Sequence, residues 1–377
     1  MPKQLYETAG GDADVALVEL IKSALAGGII GAAMLPLRVP SEDSYAWVLA
    51  REPELLDRAR PLPPVMPVQG AKALSSFTKR GPAPIETAVI MRPCEVRALR
   101  ELEKVDQVNL KGIVLISADC AGVLPLGDYL DDPAAGEEVY ESAASVGNLE
   151  PMRPLCAACE FFADAPSDIH LMSFGTEEPL LSAKTEKGQE FLEELGLDAT
   201  KIPDDRESVV RELEEKRSAN RNSLREEFAP EHTGAAGLVE SFASCIDCHN
   251  CMRVCPVCYC RRCYYESDKV HLRPEQHLAR AEMKGAVKLS PNVLIYHLGR
   301  MAHMSTYCVS CGMCSDACPK DIPVGRLMAL SAEGSRELFD YVAGISSEDR
   351  PLRNYAREGE SEKIMELTSD PLGEFED

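Results

Sequence analysis

The chain has 377 residues, 45% hydrophobic and 27% charged, and its 62 acidic and 40 basic side chains give a net charge of −22. This composition excludes a wholly disordered, collagen-like or coiled-coil chain, and the length predicts two or three domains. The acidic balance argues against a general nucleic-acid binder, because phosphates need a positive field.

The start, Met1 to Asp14, is polar, with no charged segment leading into an apolar run, so no signal peptide is expected. The longest apolar stretch, Ala24 to Leu37, is broken by Gly27-Gly28 and Pro36 and is too short to span a bilayer. A cytoplasmic location is the expectation. There the fifteen cysteines are more often metal ligands or catalytic groups than disulfides.

In chain order, Val15, Leu17, Val18, Leu20, Ile21, Ala24 and Leu25 form a helical face that Gly27-Gly28 closes. Ile29 to Leu37 then reads as a buried strand. Pro61 to Pro67 holds four prolines and is a connector. Thr87 to Met91 is a strand-like apolar run, Glu95 to Val105 is helical through Val96, Leu99, Leu102 and Val105, and Gly112 to Ser117 is a second run. Together, Ile85 to Cys120 predicts a β–α–β unit and a parallel sheet. Cys94 and Cys120 fall at the carboxyl ends of its strands, the edge where such sheets place their sites. Cys94 also lies at a helix amino terminus, where the dipole favours a thiolate. Glu95 beside it could serve as an acid or base, although a carboxylate at a helix start is the ordinary explanation.

From Asp204 to Glu227, 14 of the 24 residues are charged, with a thin apolar stripe of Val209, Val210, Leu213, Leu224 and Phe228. This predicts a connecting helix with a solvated face. The expected division is a cofactor-binding module over 1–185, a charged helical linker over 186–240, a cysteine-rich module over 241–333 and an acidic tail over 334–377. From Ser346 onward the tail reads as disordered or docked on a partner.

The strongest signal is the spacing C-x2-C-x2-C-x3-C-P. It occurs at Cys245, Cys248, Cys251 and Cys255, and again at Cys308, Cys311, Cys314 and Cys318. This is the bacterial ferredoxin run for 4Fe–4S clusters, in which the fourth cysteine serves the other cluster. Cys245, Cys248, Cys251 and Cys318 are thus expected to hold one cluster, and Cys308, Cys311, Cys314 and Cys255 the other. Structural zinc rarely shows such triplets. The 52 residues between the runs exceed a compact βαβ ferredoxin and carry helix-like stretches at Pro274 to Lys284 and Asn292 to His303. A mainly α-helical ferredoxin-like module follows, behind an α/β N-terminal module with a mostly parallel sheet. Cys94, Cys120, Cys156 and Cys159 could form a further four-thiolate site or be buried structural cysteines. Cys258, Cys260 and Cys263 are possible additional ligands that lack a fourth, for which His249, His271 or a partner subunit are candidates.

Arg92-Pro93-Cys94-Glu95-Val96-Arg97-Ala98-Leu99, Asp119-Cys120-Ala121-Gly122, and Cys156-Ala157-Ala158-Cys159 with Ser167-Asp168-Ile169 and Gly175 occur in that order. In these segments the chain resembles the β-subunit family of coenzyme F-420 hydrogenases and dehydrogenases, which includes formate dehydrogenase β subunits. Cys255-Pro256-Val257-Cys258-Tyr259-Cys260-Arg261-Arg262-Cys263 is similar to the formate dehydrogenase branch. The resemblance implies an FAD beside a 4Fe–4S cluster held by Cys94, Cys120, Cys156 and Cys159. It also implies a flavin segment at Gly70 and Lys72, with Lys79 and Arg80 as further candidates. The chain departs from the family in its Gly10-Gly11 opening and its short, proline-rich middle, and it carries no G-x-G-x-x-G fingerprint.

The expected function is a flavin- and iron–sulfur-containing electron-transfer subunit of an oxidoreductase. Its partners would be formate dehydrogenase, hydrogenase or heterodisulfide reductase-like subunits, with a soluble deazaflavin or nicotinamide carrier. The alternative is a flavin-free adaptor wiring two enzymes together.

Overall fold

The computed structural model describes residues 4–8, 10–145, 147–200, 205–260, 263–267, 270, 274–285 and 293–346. Its N-terminal part is an eight-stranded sheet. The strands are β1 Gln4–Glu7, β2 Ala32–Arg38, β3 Tyr45–Ala50, β4 Thr87–Met91, β5 Ile113–Ala118, β6 Ile169–Met172, β7 Leu180–Ala183 and β8 Ala199–Thr200. They lie in the order β3-β2-β4-β5-β6-β7-β1-β8. β2, β4, β5 and β6 run parallel at the centre, and the flanking pairs are antiparallel. The predicted β–α–β unit is present as β4, the helix Pro93–Lys104 and β5.

Both faces of the sheet are buried, and the strands alternate between them with the period of two that a pleat imposes. Ala88, Ile90, Val114 and Ile116 face a core with Leu17, Ile21 and Ala24 of the helix Ala13–Ala26 and with Phe191 and Leu192 of the helix Glu186–Glu194. Val89, Met91, Ile113 and Leu115 face the other core, which includes Val96, Leu99 and Leu102 and continues into Met304, Val324 and Leu327 of the cysteine-rich region. One continuous core therefore joins the two modules. The sheet takes in β8, which pairs with β1, so this module extends past residue 185, where the composition placed a boundary.

Asp12 accepts a hydrogen bond from Val15 N (2.8 Å) and starts the first helix. Glu95 caps the helix Pro93–Lys104, accepting from Arg92 N (2.8 Å), and also accepts from Gly70 N (2.6 Å). This is the ordinary role of a carboxylate at a helix start, with both of its oxygens occupied in protein contacts.

Among the described residues of 241–346, the regular elements are helices. The short helices Asn250–Arg253 and Met313–Asp316 lie inside the two cysteine runs, Val293–Met304 and Val324–Phe339 share a core with them, and Pro274–Lys284 is largely exposed. The last helix continues past residue 333. Tyr341 and Gly344 then dock on Glu101, which accepts Tyr341 Oη–H (2.8 Å), Gly344 N–H (2.6 Å) and Lys104 Nζ–H (2.9 Å). The acidic tail beyond 346 lies outside the described residues. No described helix is long and apolar enough to cross a membrane.

Candidate iron–sulfur centres

The parallel sheet brings the four N-terminal cysteines to one edge. Cys94 is in the first turn of the helix after β4, Cys120 follows β5, and Cys156 and Cys159 lie in and just after the short helix Pro154–Ala157. Cys94 feels the charges of Cys120 and Cys156, and Cys159 that of Cys156. Arg92, buried beneath them, donates to Cys120 Sγ (3.2 Å) and to Gly122 O (3.2 Å).

The expected linker helix takes part in this site. In Arg206–Ser223, Arg206, Leu213 and Arg217 are buried. Arg217 donates to Cys156 O (2.7 Å), Cys120 O (3.0 Å) and Ala121 O (3.1 Å). Asn220 and Arg221 donate to Ala157 O (2.9 Å) and Ala158 O (3.1 Å). Arg206 binds Asp119 at 2.6 and 3.0 Å. One face of the helix thus clamps the cysteine loops, which corrects the reading of a purely solvated helix. Charge counting cannot separate a buried, hydrogen-bonded arginine from a hydrated one.

In the C-terminal module, one small cavity is lined by Cys255, Cys308, Cys311 and Cys314. These are the four residues that the crossed spacing assigns to one cluster. Cys251 in turn is electrostatically coupled to Cys248 and Cys318, and Cys245 to Cys251 and Cys248, which groups the other four. Left-handed residues at Asp247, His249, Ser310 and Gly312 turn the backbone around the thiols. The amides of Asp247 and Ser310 point at Cys245 Sγ (3.5 Å) and Cys308 Sγ (3.4 Å).

All fifteen cysteines are free thiols. Burial pushes Cys245 up to about 11 and Cys311 up to about 12, and raises Cys94, Cys156 and Cys159. Iron binding to these thiols therefore releases protons. Among the described residues, no three His, Cys, Asp or Glu close on a point as a single ion requires. A four-iron cube is a larger body held from four sides, so its thiolates stand farther apart.

Two further observations fit such clusters. Arg92, Arg97, Arg217 and Arg300 are buried beside cysteines, and none makes an ion pair with a carboxylate among the described residues. Glu95 lies near Arg92 and Glu160 near Arg97 without forming an ion pair with them; buried cations so weakly balanced are unfavourable, and an anionic thiolate cluster would supply further negative charge. In addition, the Nε–H groups of Arg153, Arg217 and Arg300 are buried without a partner, although each of these arginines already bonds a cysteine carbonyl or sulfur. Cluster sulfur is the acceptor such donors lack.

The three extra cysteines form a looser group. Cys258 is pushed up to about 12, first by burial and then by Cys255. Cys263 sits 3.9 Å from Met252 Sδ, and Cys260 is exposed. His249 does not complete this group, because its two ring nitrogens face Glu266 (2.8 Å) and Asp247 (3.0 Å). His271 lies outside the described residues.

The residues expected near a flavin have other partners. Gly70 is packed so that a Cβ would stand 2.5 Å from the Trp47 ring, and its amide is held by Glu95. Lys72 reaches the ferredoxin module, donating to Arg253 O and to Cys255 O (3.4 Å). Lys79 and Arg80 are exposed. A cleft of about 760 Å³ instead opens beside the Cys120 loop, walled by Gly11, Asp119, Ala121, Tyr140, Gly175 and Arg217. Sequence reasoning did not single out this cleft. Gly11 and Gly175 on its wall have positive φ, and Gly175 packs so closely on the linker helix that a Cβ would stand 2.7 Å from Arg206 Cα.

Residues 241–322 match the family described as "4Fe-4S dicluster domain". The chain is 27% identical over 309 residues to the F-420-dependent formate dehydrogenase subunit beta of Methanocaldococcus jannaschii, covering 72% of this chain and 76% of the relative. It is 25% identical over 304 residues to the F-420-dependent formate dehydrogenase 1 subunit beta of Methanococcus maripaludis, covering 70% and 74%. Among solved structures, a chain of the F-420-reducing nickel–iron hydrogenase complex from Methanosarcina barkeri, derivatised with xenon, aligns with a TM-score of 0.46 at 14% identity, over 63% of this chain and 94% of that one. The chain is thus similar over about 70% of its length to β subunits of F-420-dependent formate dehydrogenases, and residues 241–322 match a 4Fe–4S dicluster domain.

Proposed function

We propose that the chain is the electron-relay subunit of an oxidoreductase complex and holds three 4Fe–4S clusters in a row. The observation that carries this reading is the order of the thiol sets. Cys159 and Cys308 line one cavity with Arg97 between them, and Cys94 packs with Cys311 around Met66, Val123 and Met313. Arg300 reaches from the Cys308 cavity to Cys251 Sγ at 3.0 Å. Cys94, Cys120, Cys156 and Cys159 would hold the inner cluster. Cys308, Cys311, Cys314 and Cys255 would hold the central one, and Cys245, Cys248, Cys251 and Cys318 the outer one. When bound, such clusters supply one-electron carriers whose potentials follow charge, hydrogen bonds to sulfur and exposure. The chain's own residues fix the loops, keep water from the thiols and place the sets side by side.

An FAD would sit in the cleft beside Cys120, whose volume suits a cofactor. It would supply the exchange between two-electron carriers and single electrons. The electron partners are a formate dehydrogenase, hydrogenase or heterodisulfide reductase-like catalytic subunit on one side and a deazaflavin or nicotinamide carrier on the other.

A second reading, the flavin-free adaptor, is favoured by the cleft's charge. It carries Asp12, Asp14, Asp119, Glu141, Glu177 and Glu212 against Arg60, Lys216 and Arg217, a poor lining for a pyrophosphate. Flavin released by acid from anaerobically purified protein separates the two. About one flavin per chain, alongside intact clusters, is the expected result. Bound iron with no flavin selects the adaptor.

A further inference from the structure

The relay reading leaves four buried arginines without a carboxylate ion pair among the described residues, and two of them stand at the junctions between thiol sets. Arg97 is on the helix that carries Cys94 in its first turn. Its guanidinium lies 3.8 Å from the Phe161 ring centroid and donates only to main-chain oxygens, Ala343 O at 3.0 and 2.8 Å and Val309 O at 3.5 Å. Its charged neighbours are Cys159 and Cys94 on one side, Cys308 on the other and, more weakly, Glu160, which is itself paired with Arg221 and Arg336. Arg300 donates to Cys251 Sγ (3.0 Å) and Cys251 O (3.1 Å), and its other neighbours include Cys314 and Cys255. Each arginine thus faces two thiol sets at once, in a chain whose overall charge is −22.

Two neighbouring anionic clusters repel each other's added electrons, and the repulsion is large where water is excluded. A fixed cation between them offsets it for both. Arg153 also spans the inner and central sets, donating to Cys311 O (2.6 Å), but its charge is balanced by Asp316. Neither Arg97 nor Arg300 is in an ion pair with a carboxylate among the described residues.

We propose that Arg97 and Arg300 are positioning residues that set the reduction potentials of adjoining clusters, each raising the potentials of the two clusters it separates so that neighbours can be reduced together. The inference rests on the relay reading and adds to it which residues tune the wire. No bond is made or broken, and the effect is on the affinity of each cluster for one electron.

The test is an EPR-monitored redox titration of the full-length, iron-loaded protein. Arg300→Met should lower the potentials of the central and outer clusters, and Arg97→Met those of the inner and central ones. The expected size is at least a tenfold change in the oxidised-to-reduced ratio at fixed potential, which is about 59 mV for one electron. Full iron with unchanged potentials overturns the proposal. Arg300→Lys and Arg97→Lys keep the charge without the planar fork and decide the matter if the methionine variants fail to load. Potentials held near wild type support an electrostatic role, and potentials that fall overturn it in favour of packing. If the wild-type protein itself loads no clusters, the relay reading fails, which iron content detects separately.

Discussion

Replacing Cys255 with serine removes the same EPR signal as replacing Cys308, Cys311 or Cys314. Replacing Cys318 removes the signal that depends on Cys245, Cys248 and Cys251. This is the expected result if the fourth cysteine of each run crosses to the other cluster, and it follows from the cavity that Cys255 shares with the second run. Each variant should lose about four of about twelve irons per chain, a change that iron analysis resolves easily. The contrary pattern is also clear. If Cys255→Ser abolishes the signal that depends on Cys245, each run holds its own cluster and the grouping is wrong.

Asp119→Ala should destabilise the N-terminal module by about 3–5 kcal/mol, the typical cost of stranding a buried charge. Asp119 is buried and accepts from Arg206 at 2.6 and 3.0 Å, from the amides of Ser173 (2.8 Å) and Phe174 (2.9 Å), and contacts His170 Nε2 at 3.0 Å. These partners hold the carboxyl below the usual carboxylate range despite its burial. The substitution leaves Arg206 without its anion and frees the linker helix that clamps Cys120 and Cys156. Calorimetry should record a Tm roughly 6–20 °C lower, at about 2–4 °C per kcal/mol. The double variant Asp119→Ala with Arg206→Met should be less unstable than Asp119→Ala alone, because the stranded cation is gone. A single variant within about 0.5 kcal/mol of wild type would remove the clamp from the account.

Much of this architecture was legible from residue patterns. Thr87 to Met91 and the helix after it are where the apolar spacing places them, because a strand buried on both faces reads as a continuous apolar run. Pro274–Lys284 and the helix Val293–Met304 likewise match the helix-like stretches between the cysteine runs. The dicluster match at residues 241–322 falls on the first cysteine run and spans the second, where three thiolates within seven residues suit wrapping one body. What the sequence could not disclose is the work of single polar residues. Arg217 and Arg206 lie in a segment that is charged throughout, and only the fold reveals which side chains turn inward. Lys72 looked like a cofactor contact because a glycine and a lysine suit a phosphate. The fold turns it instead toward the carbonyls of Arg253 and Cys255. The cleft beside Cys120 escaped notice because its walls come from segments as distant as Gly11, Tyr140 and Gly175, which no local motif joins.

The central claim is that three thiol sets each hold a cluster and stand in one line. The most direct measurement is iron per chain on anaerobically purified protein, combined with EPR of the fully reduced state. The account predicts about twelve irons and a signal broadened by magnetic coupling between neighbouring clusters. About eight irons, with the signal unchanged when Cys94 or Cys159 is replaced, would contradict it, leaving a two-cluster module docked on a cluster-free sheet domain.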